Sequence, residues 1–370
     1  MSNCHRCDPI SDSPAGASTL YLRVPAGYLG DKLRSLAEQA TLCWEELEPG
    51  VFSLSVNPDK FPPLLDLFES DFTPREREII RCSVVAAGEQ LSSAEPLVTS
   101  SLGVSVAQLR NAWITDLLAQ KRLFSAFQPI VRTSEGKSVG IFGHECLLRG
   151  YDSDGTFISP VHIFESARAA DLLFQLDTAA RRSSIECAAA RGLRDKIFIN
   201  FNPTTIYDPA TCLSSTLELI DEKGIPRDQI VFEVVESEQI ADTAHLRRIL
   251  DYYRAEGFTV ALDDVGAGFN SLRLLSEIRP DFIKIDMDLI RNVHEDKWKA
   301  IITSHLIEVA HELSLPIIAE GIECIEESQW LEERHVQYQQ GFLHGRPEPR
   351  PLPSQVPVKI FTPLPILLQP

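Results

Sequence analysis

Short strand-like runs of apolar residues alternate with segments of helical spacing from Phe124 to about residue 345. The strand-like runs are FQPIV, VGIFGHECLL, KIFINF, QIVFEVV, FTVALDD, DFIKID, PIIAEG and VQYQQGF. Eight strands that alternate with helices are typical of a closed parallel barrel. The pattern therefore predicts an α/β protein with a TIM-type (β/α)8 barrel over residues 123–350.

The first two strands of this barrel are joined by RTSEGKS, a short polar segment that contains a glycine. A parallel connection needs a crossover of about a dozen residues or more, whereas a short loop joins antiparallel neighbours. We therefore expect the first strand to run antiparallel to the others.

The residues before the barrel predict a small α+β domain over 18–90. STLYLRV is typical of a strand and GDKLRSLAEQA of a helix; two short strands then flank the turn at 48–50, and FPPLLDLFES predicts a second helix. No ligand motif is recognisable there, so a regulatory role and a plain folded appendage both stay open. Residues 91–122 predict a linker and a connecting helix, residues 1–17 a disordered tail, and residues 351–370 a Pro-rich tail.

Composition and charge narrow the classes of function. The 370 residues are 44% hydrophobic and 24% charged, as in globular proteins. The net charge of −18 argues against general nucleic-acid binding, because phosphate backbones are held by clustered Lys and Arg. No apolar run approaches the roughly 20 residues of a membrane span, and no signal peptide is apparent. A cytoplasmic location is the default expectation.

The eight cysteines show no regular framework, which indicates reduced thiols. Cys4 and Cys7 form a CHRC tetrapeptide. A zinc or redox role there needs two further ligands or a helix start, and a flexible polar stretch follows instead. An incidental position in a tail is the favoured interpretation.

Seven polar residues stand one apiece at the C-terminal ends of the last seven barrel strands. They are Glu145, Asn200, Glu233, Asp263, Lys284, Glu320 and Gln340. In a closed parallel barrel these ends converge on one mouth, where active sites are built. We therefore expect these residues to share one pocket.

Three carboxylates and an amide of this set, from Glu145, Asn200, Glu233 and Asp263, form an all-oxygen group. Hard cations such as Mg²⁺ or Mn²⁺ prefer such ligands. Asp264 directly follows Asp263, so one of the two carboxylates is able to bridge two ions while its neighbour reaches only the second. Two ions about 4 Å apart are a standard device for cleaving phosphodiesters. Each acid alone is more often a solvated loop residue; their joint placement favours the metal site.

The motifs also resemble those of a known family. Residues 145–149, ECLLR, are similar to the signature of EAL-domain phosphodiesterases. The other motifs follow in the family's order: FQPIV, FINFNP, FEVVES, LDDVGAGFNSL, IKID, AEGIE and QGFLHGRP. The resemblance covers about residues 121–350. It implies a metal-dependent enzyme that hydrolyses cyclic di-GMP to linear pGpG in bacterial signalling.

The resemblance assigns roles by position. It makes Glu145, Asn200, Glu233 and Asp263 ligands of a first ion, and gives Asp264 and Glu320 to a second, with Asp263 bridging. Lys284 would hold the attacking water, and Glu320 is the candidate general base. Substrate contacts fall to Gln128, Leu147, Arg149 and Gln340. Supporting roles fall to Glu236, which braces the loop after the Asp pair, and to Asp286 and Glu323, which orient water and Lys284.

Three positions depart from the family pattern. Cys146 replaces an Ala, Val235 a Thr and Val265 a Phe. The last two remove a hydroxyl and an aromatic ring beside the loop that in the family couples the metal site to dimerisation. They bear on regulation more than on catalysis. The resemblance also implies a homodimer, and inhibition by Ca²⁺ follows because Ca²⁺ takes more ligands in a looser geometry than Mg²⁺.

Two other interpretations remain. A catalytically silent receptor would bind cyclic di-GMP, or a partner protein, and signal through the N-terminal unit. Residue types alone also allow a barrel hydrolase that acts on another phosphodiester. Degenerate receptors usually lose metal ligands or the lysine, and this chain keeps Glu145, Asp263, Lys284 and Glu320. The enzyme is the favoured hypothesis.

Overall fold

A computed structural model describes residues 16–25, 27–87, 100–134, 137–235, 243–267 and 271–353. The predictions for Glu236, for Cys4 and Cys7, and for most of both tails and the linker lie outside these residues. Two compact units emerge. The first comprises Met1–Arg122 and Gly150–Leu176, and the second comprises Leu123–Arg149 and Asp177–Pro370.

The first unit contains an antiparallel sheet with the strand order β2-β3-β1-β4-β5. Its strands are β1 Ser18–Arg23, β2 Cys43–Glu48, β3 Val51–Val56, β4 Arg81–Ala86 and β5 Ser100–Ser101. Alternate residues of β1, such as Leu20 and Leu22, are fully buried. The turn predicted between β2 and β3 is present. Gly50 has φ 79° there, and a Cβ would lie 2.8 Å from the carbonyl oxygen of Val24.

The helices of the first unit are α1 Tyr28–Gln39, α2 Phe61–Asp71, α3 Pro74–Ile79, α4 Leu102–Arg110, α5 Ala112–Ala119 and α6 Pro160–Ala169. Thr73 caps α3, since its Oγ1 accepts a hydrogen bond from Glu76 N. The expected single connecting helix is wrong in one respect. It is interrupted at Asn111, which leaves helical geometry between α4 and α5 and donates through Nδ2 to Ala107 O.

The second unit is built on a closed eight-stranded barrel with the order β6-β14-β13-β12-β11-β10-β9-β7, closed by pairing of β6 with β7. Its strands are β6 Leu123–Ser134, β7 Lys137–Tyr151, β9 Lys196–Asn200, β10 Ile230–Val235, β11 Thr259–Val265, β12 Phe282–Ile285, β13 Ile317–Ala319 and β14 Tyr338–Gln340. Phe157–Ile158 (β8) pairs with the end of β7. β6 is antiparallel to β14, while the strands from β7 round to β14 are parallel. The predicted barrel and its antiparallel first strand are confirmed.

The helices of the second unit are α7 Leu173–Ala190, α8 Pro209–Cys212, α9 Ser214–Lys223, α10 Thr243–Ala255, α11 Ser271–Ile278, α12 Met287–Ile290, α13 Lys297–Glu312 and α14 Ile325–Glu332. The spacing of apolar residues predicts one long helical stretch over residues 160–191, but the structure interrupts it between α6 and α7. Asp171 there has φ 55°, a left-handed conformation that a helix interior does not accept.

An apolar layer fills the barrel with one residue from each of its eight strands. It consists of Ile130, Phe142, Phe198, Val231, Ala261, Phe282, Ile318 and Tyr338. The rings are in contact: the Phe142 and Tyr338 centroids lie 3.9 Å apart, and those of Phe142 and Phe282 lie 5.7 Å apart. Stacked layers of inward side chains are the usual way in which such barrels are filled. This layer forms the floor of the site. In the described part of the chain, no helix combines the length and apolarity needed to cross a membrane.

Candidate active site

A polar layer lies directly above the apolar one and again takes one residue from each strand or its end: Gln128, Glu145, Asn200, Glu233, Asp263, Lys284, Glu320 and Gln340. Side chains alternate along a strand, so the next inward position is two residues further on. Asn200, for example, lies two residues after Phe198. Gln128 lies two residues before Ile130 because its strand runs the other way. The strands thus place all seven predicted strand-end residues, and Gln128, around one mouth.

Glu145 is the exception to this alternation, because it follows Phe142 by three residues. The intervening Gly143 lies against β9, where a Cβ would be 2.7 Å from Lys196 O and 2.8 Å from the Phe198 ring. His144 is fully buried beside Phe127. The pairing of β7 with β9 is regular from Gly143 to Cys146, and glycine at 143 leaves room for the Phe198 ring two positions before Glu145.

Lys284 is the centre of the polar layer. Its Nζ lies 2.7 Å from Glu320 Oε1, 2.8 Å from Glu233 Oε1, 3.0 Å from Asp263 Oδ1 and 3.4 Å from Glu145 Oε2. The Lys284 side chain is fully buried. One ammonium group therefore faces four carboxylates in a water-excluded interior.

Amide side chains hold Glu145 in place. Asn200 Nδ2 donates to Glu145 Oε1 at 2.9 Å, and Gln340 Nε2 donates to Glu145 Oε2 at 2.6 Å. The same Gln340 nitrogen also lies 3.2 Å from Gln128 Oε1. Residues from the first, second, third and last strands of the barrel are thereby connected.

Glu233 is buried but lacks hydrogen bonds. Neither of its carboxylate oxygens has a hydrogen-bond partner, although Oε1 is 2.8 Å from Lys284 Nζ in a contact without hydrogen-bond geometry. A buried carboxylate without hydrogen bonds is costly, and such groups usually indicate a function or a bound ion. Glu233 therefore has free lone pairs for a cation.

Asp263 and Asp264 both reach the mouth because β11 bulges. Leu262 pairs with Ile283 and Val265 with Ile285, so three steps along β11 match two along β12. Asp264 itself has φ 55°. Regular alternation would send adjacent side chains to opposite faces. The extra residue lets both carboxylates approach one site.

The charges of the layer do not balance, since Glu145, Glu233, Asp263, Asp264 and Glu320 surround one ammonium group. Burial, and to a smaller extent repulsion by Asp263, raises the pKa of Asp264 to about 7. Burial, only partly offset by Lys284, also raises the pKa of Asp263, and the pKa values of Glu233 and Glu320 rise well above their usual range.

The pKa values of Glu145 and Lys284 shift in the direction that favours their charged forms. Burial raises the pKa of Glu145, but Lys284 and the two amides outweigh it and the net pKa is lowered. Burial alone would lower the pKa of Lys284, yet the surrounding carboxylates hold that pKa well above its usual value. The ammonium group therefore stays charged, and the layer retains an excess of acid groups that bound cations would offset.

Two groups of oxygen donors fit divalent cations. Carboxylate oxygens of Glu145, Glu233 and Asp263 lie within 4.8 Å of one another, as do those of Asp263, Asp264 and Glu320. Asp263 belongs to both groups. The donors are all oxygens, the type that Mg²⁺ and Mn²⁺ prefer, and those of Glu233 accept no hydrogen bond. The residues therefore fit the pair of ions that the sequence predicts.

A cavity of about 460 Å³ opens above the layer, which is a usual size for a small-molecule site. It is lined by Gln128, Glu145, Asp264, Asp286, Met287, Arg291, Glu320, Gly321, Glu323, Gln340, Gly341, Phe342 and Pro347. Met287, Arg291, Phe342 and Pro347 were not singled out from the sequence. Phe342 and Pro347 lie inside the QGFLHGRP motif, which was the available signal.

The remaining predicted residues lie around this cavity. Asp286 caps α12 by accepting from Asp288 N at 2.8 Å, and Glu323 pairs with Arg291 at 2.8 Å. Their suggested effect on Lys284 remains a prediction. Leu147 and Arg149 lie further along β7, beyond the described lining of the cavity. Arg149 Nη1 donates to Leu148 O at 2.7 Å, and burial lowers the pKa of Arg149.

Sequence comparison identifies the family. The EAL domain matches residues 107–347, so the chain belongs to the EAL domain family. It is 30% identical over 227 residues to a probable cyclic di-GMP phosphodiesterase of Escherichia coli K12, PdeG, covering 60% of this chain and 44% of that one. It is 31% identical over 230 residues to the blue light- and temperature-regulated antirepressor BluF of the same organism, covering 62% and 55%. The match thus spans about half the length of these relatives.

Solved structures agree with the barrel. A standalone versatile EAL protein from Vibrio cholerae O395, in its cyclic di-GMP-bound form, is 34% identical with a TM-score of 0.54, covering 61% of this chain and 92% of that one. BlrP1 of Klebsiella pneumoniae, in a manganese and cyclic di-GMP complex, is 21% identical with a TM-score of 0.55, covering 90% and 96%. The second likeness bears on the fold alone, and it extends across most of the chain.

Proposed function

We propose that this chain is a Mg²⁺- or Mn²⁺-dependent phosphodiesterase that hydrolyses cyclic di-GMP to linear pGpG. The observation that carries this proposal is the polar layer, in which two oxygen-donor groups share Asp263 around Lys284. Family membership and the naming of a relative as a probable cyclic di-GMP phosphodiesterase support the choice of substrate.

The ions would be held by the residues that the sequence predicts. Glu145, Asn200, Glu233 and Asp263 would hold one ion, and Asp263, Asp264 and Glu320 the other. When bound, such a pair supplies activation of water at neutral pH and stabilises charge on the phosphate during in-line displacement. Glu233 is buried, and its only ionic contact described is that of Oε1 with Lys284, which supports its assignment as a ligand.

Lys284 would position the attacking water, and Glu320 would deprotonate it. Lys284 remains protonated, so its Nζ donates hydrogen bonds and positions a water oxygen beside the phosphate. Glu320 Oε1, 2.7 Å from that Nζ, would accept the proton that the water loses. Burial and Asp263 raise the pKa of Glu320 well above its usual range, so the lysine and the bound cations together would be needed to favour its ionised form.

The substrate would lie in the cavity above the layer. The amides of Gln128 and Gln340 face it and would hydrogen-bond a guanine edge or a phosphate oxygen. Arg149 would grip a phosphate through two guanidinium nitrogens, and Leu147 would provide an apolar wall. Glu236 would brace the loop after Asp264.

A second candidate function is that of a silent receptor or partner-binding regulator. BluF, which is named an antirepressor, is as similar to this chain as PdeG is. The intact donor groups favour the enzyme.

Incubation of the purified chain with cyclic di-GMP and Mg²⁺ or Mn²⁺, followed by chromatography of the nucleotides, tests the proposal. We expect pGpG, and we expect Ca²⁺ to inhibit its formation. Glu145→Ala should lower the rate by more than about a hundredfold, because even changes around metal ligands cost 10- to 100-fold. Glu218→Gln, an exposed acid on α9, is the matched control and should keep full activity. Tight binding without pGpG would instead favour the receptor.

We further propose that the chain is a cytoplasmic homodimer. The free cysteines among the described residues support a reducing compartment. One face of α13 supports the dimer, because it exposes Trp298, Ile302 and Val309 at helical spacing. A second copy would bury this apolar stripe.

A further inference from the structure

A third cluster of metal-ligating side chains lies apart from the polar layer in the described part of the barrel unit. One donor atom each from His294, Cys324 and Glu327 lies within 4.8 Å of the other two. His294 follows α12, Cys324 directly precedes α14, and Glu327 lies in the first turn of α14. Two segments well separated in sequence therefore bring an imidazole, a thiol and a carboxylate together.

The carboxylate of this cluster is fixed in place. Glu327 is 1% exposed. Its Oε1 accepts from Asn292 N at 2.8 Å, and its Oε2 accepts from Glu323 N and Cys324 N at 2.9 and 3.3 Å. Backbone donors of this kind orient a ligating carboxylate and leave lone pairs free for an ion.

The imidazole of the cluster has a free donor atom. His294 Nδ1 is buried and has no hydrogen-bond partner, while Nε2 lies 3.7 Å from Glu295 Oε1. The side chain is 22% exposed, so the cluster is open to solvent on one side. Buried ring nitrogens are normally paired, and an unpaired one beside a thiol and a carboxylate points to a ligand.

We propose that His294, Cys324 and Glu327 form a peripheral site for Zn²⁺ or a similar borderline divalent cation, with a water molecule as the fourth ligand. Sulfur, nitrogen and oxygen donors together suit Zn²⁺ or Co²⁺, whereas Mg²⁺ prefers oxygen donors alone. The thiol releases its proton to solvent when the ion binds. The site is therefore chemically distinct from the all-oxygen site of the polar layer.

Such an ion would link two segments that border the active-site cavity. Arg291 and Glu323, which line the cavity and pair with each other, lie three residues before His294 and one before Cys324. Glu320 lies four residues before Cys324. The bound cation would act as a positioning element for the end of β13.

Titration of Co²⁺ into the full-length chain tests this site. Cys4 and Cys7 are changed to Ser, because paired thiolates there would bind Co²⁺ as well, and excess Mg²⁺ occupies oxygen-donor sites. We expect a near-ultraviolet thiolate-to-cobalt band that saturates at one equivalent and disappears when Zn²⁺ is added. Oxygen-donor sites cannot produce this band.

Variants then assign the band. Cys324→Thr should abolish it, since Thr still caps α14 but offers no thiolate. His294→Gln should weaken Co²⁺ binding at least roughly tenfold. Cys187→Ser, at another partly exposed cysteine, should leave the band unchanged. The absence of a saturable band in the parent protein, or its survival in Cys324→Thr, would overturn the proposal whether or not the chain hydrolyses cyclic di-GMP.

Discussion

Lys284 determines how protons can move in the polar layer. Burial disfavours an ammonium ion, but the neighbouring carboxylates outweigh burial and hold the pKa of Lys284 well above its usual value. The side chain therefore donates hydrogen bonds and does not accept a proton at neutral pH. A general base must come from a carboxylate, and Glu320 is in direct contact with Lys284.

Lys284→Met tests this division of roles. We expect the rate constant for hydrolysis to fall by roughly a hundredfold or more, because an oriented electrostatic donor is lost. Binding of Mn²⁺, measured by calorimetry, should remain at least as tight, since a competing positive charge has been removed from the donors. Lys223→Met, on the exposed face of α9, serves as control. Activity within a few fold of the parent would exclude Lys284 from catalysis.

His344 makes the stability of the fold depend on pH. Burial lowers its pKa to about 4, whereas an unfolded chain has a His pKa of about 6.5. Below pH 6.5 the unfolded state binds a proton at His344 that the folded state does not bind. The free energy of unfolding therefore falls as the pH drops toward 4. The full loss is at most about 3 kcal/mol. Chemical denaturation at pH 7.5 and pH 5 measures the part of this loss in unfolding free energy that occurs above pH 5.

A substitution separates His344 from other titrating groups. His344 Nε2 lies 3.1 Å from Gln339 Oε1, and His344→Gln can keep a donor to that oxygen. The difference in unfolding free energy between pH 7.5 and pH 5 should shrink in this variant. It should not vanish, because burial also lowers the pKa of His144 to about 4. An unchanged difference would contradict the assignment to His344.

At the scale of elements, irregular strands matter as much as regular ones. Regular alternation delivers Asn200, Glu233 and Lys284 to the layer, but Asp264 depends on the bulge of β11. Gly266, just after this bulge, has φ 106°, and a Cβ there would lie 2.3 Å from the Leu289 side chain. The arrangement of the candidate metal ligands thus depends on a local departure from regular strand geometry.

Helix α7 fixes the segment after Asn200 through a buried ion pair. Asp177 pairs with Arg181 and also accepts hydrogen bonds from Asn202 N at 2.9 Å and Thr205 Oγ1 at 3.1 Å. Burial raises the pKa of Asp177 despite the adjacent guanidinium. The position of Asn200 is therefore coupled to a charge buried outside the polar layer.

Asp177→Asn should lower the free energy of unfolding by about 3–5 kcal/mol, because it leaves the guanidinium of Arg181 buried without a counter-charge. Denaturant titration measures the change. Asp251→Asn, at an exposed pair on α10, should stay within about 0.5 kcal/mol of the parent. The double change Asp177→Leu with Arg181→Met should cost less than Asp177→Asn alone, and a larger cost would contradict the buried-charge explanation.

The sequence predicted those features that follow from repeated local patterns. Strand order, the antiparallel β6 and the convergence of strand-end residues all follow from apolar runs and loop length. The interruptions at Asn111 and Asp171 were missed because apolar spacing continues through both positions. Met287 and Arg291 were missed because nothing near them in sequence indicates that α12 borders the cavity.

At the scale of the whole molecule, the chain forms two compact units. The structural similarity to BlrP1 covers 90% of this chain. The exposed stripe on α13 belongs to the barrel unit and includes Trp298, whose side chain is 79% exposed. Large exposed aromatic residues of this kind often dominate the binding energy of an interface. The stripe therefore gives the proposed homodimer a defined surface.

Trp298→Glu should raise the dimer dissociation constant at least roughly tenfold, because truncation of an interface tryptophan typically costs 2 kcal/mol or more. Sedimentation velocity over a range of concentrations measures the change. Val161→Glu, at an equally apolar but separate exposed position on α6, is the control. A parent chain that sediments as a monomer, or a variant that dimerises as before, would contradict this interface.

The contact between Gln128 and Gln340 joins the first barrel strand to the last, at 3.2 Å. A chain emerging from the ribosome therefore contains most of its candidate metal-ligating residues well before the site can assemble. The barrel closes only when Gln340 has left the ribosome and β14 pairs with β6. A fragment that stops short of that residue is expected to lack the proposed hydrolase activity, so this activity would report barrel closure.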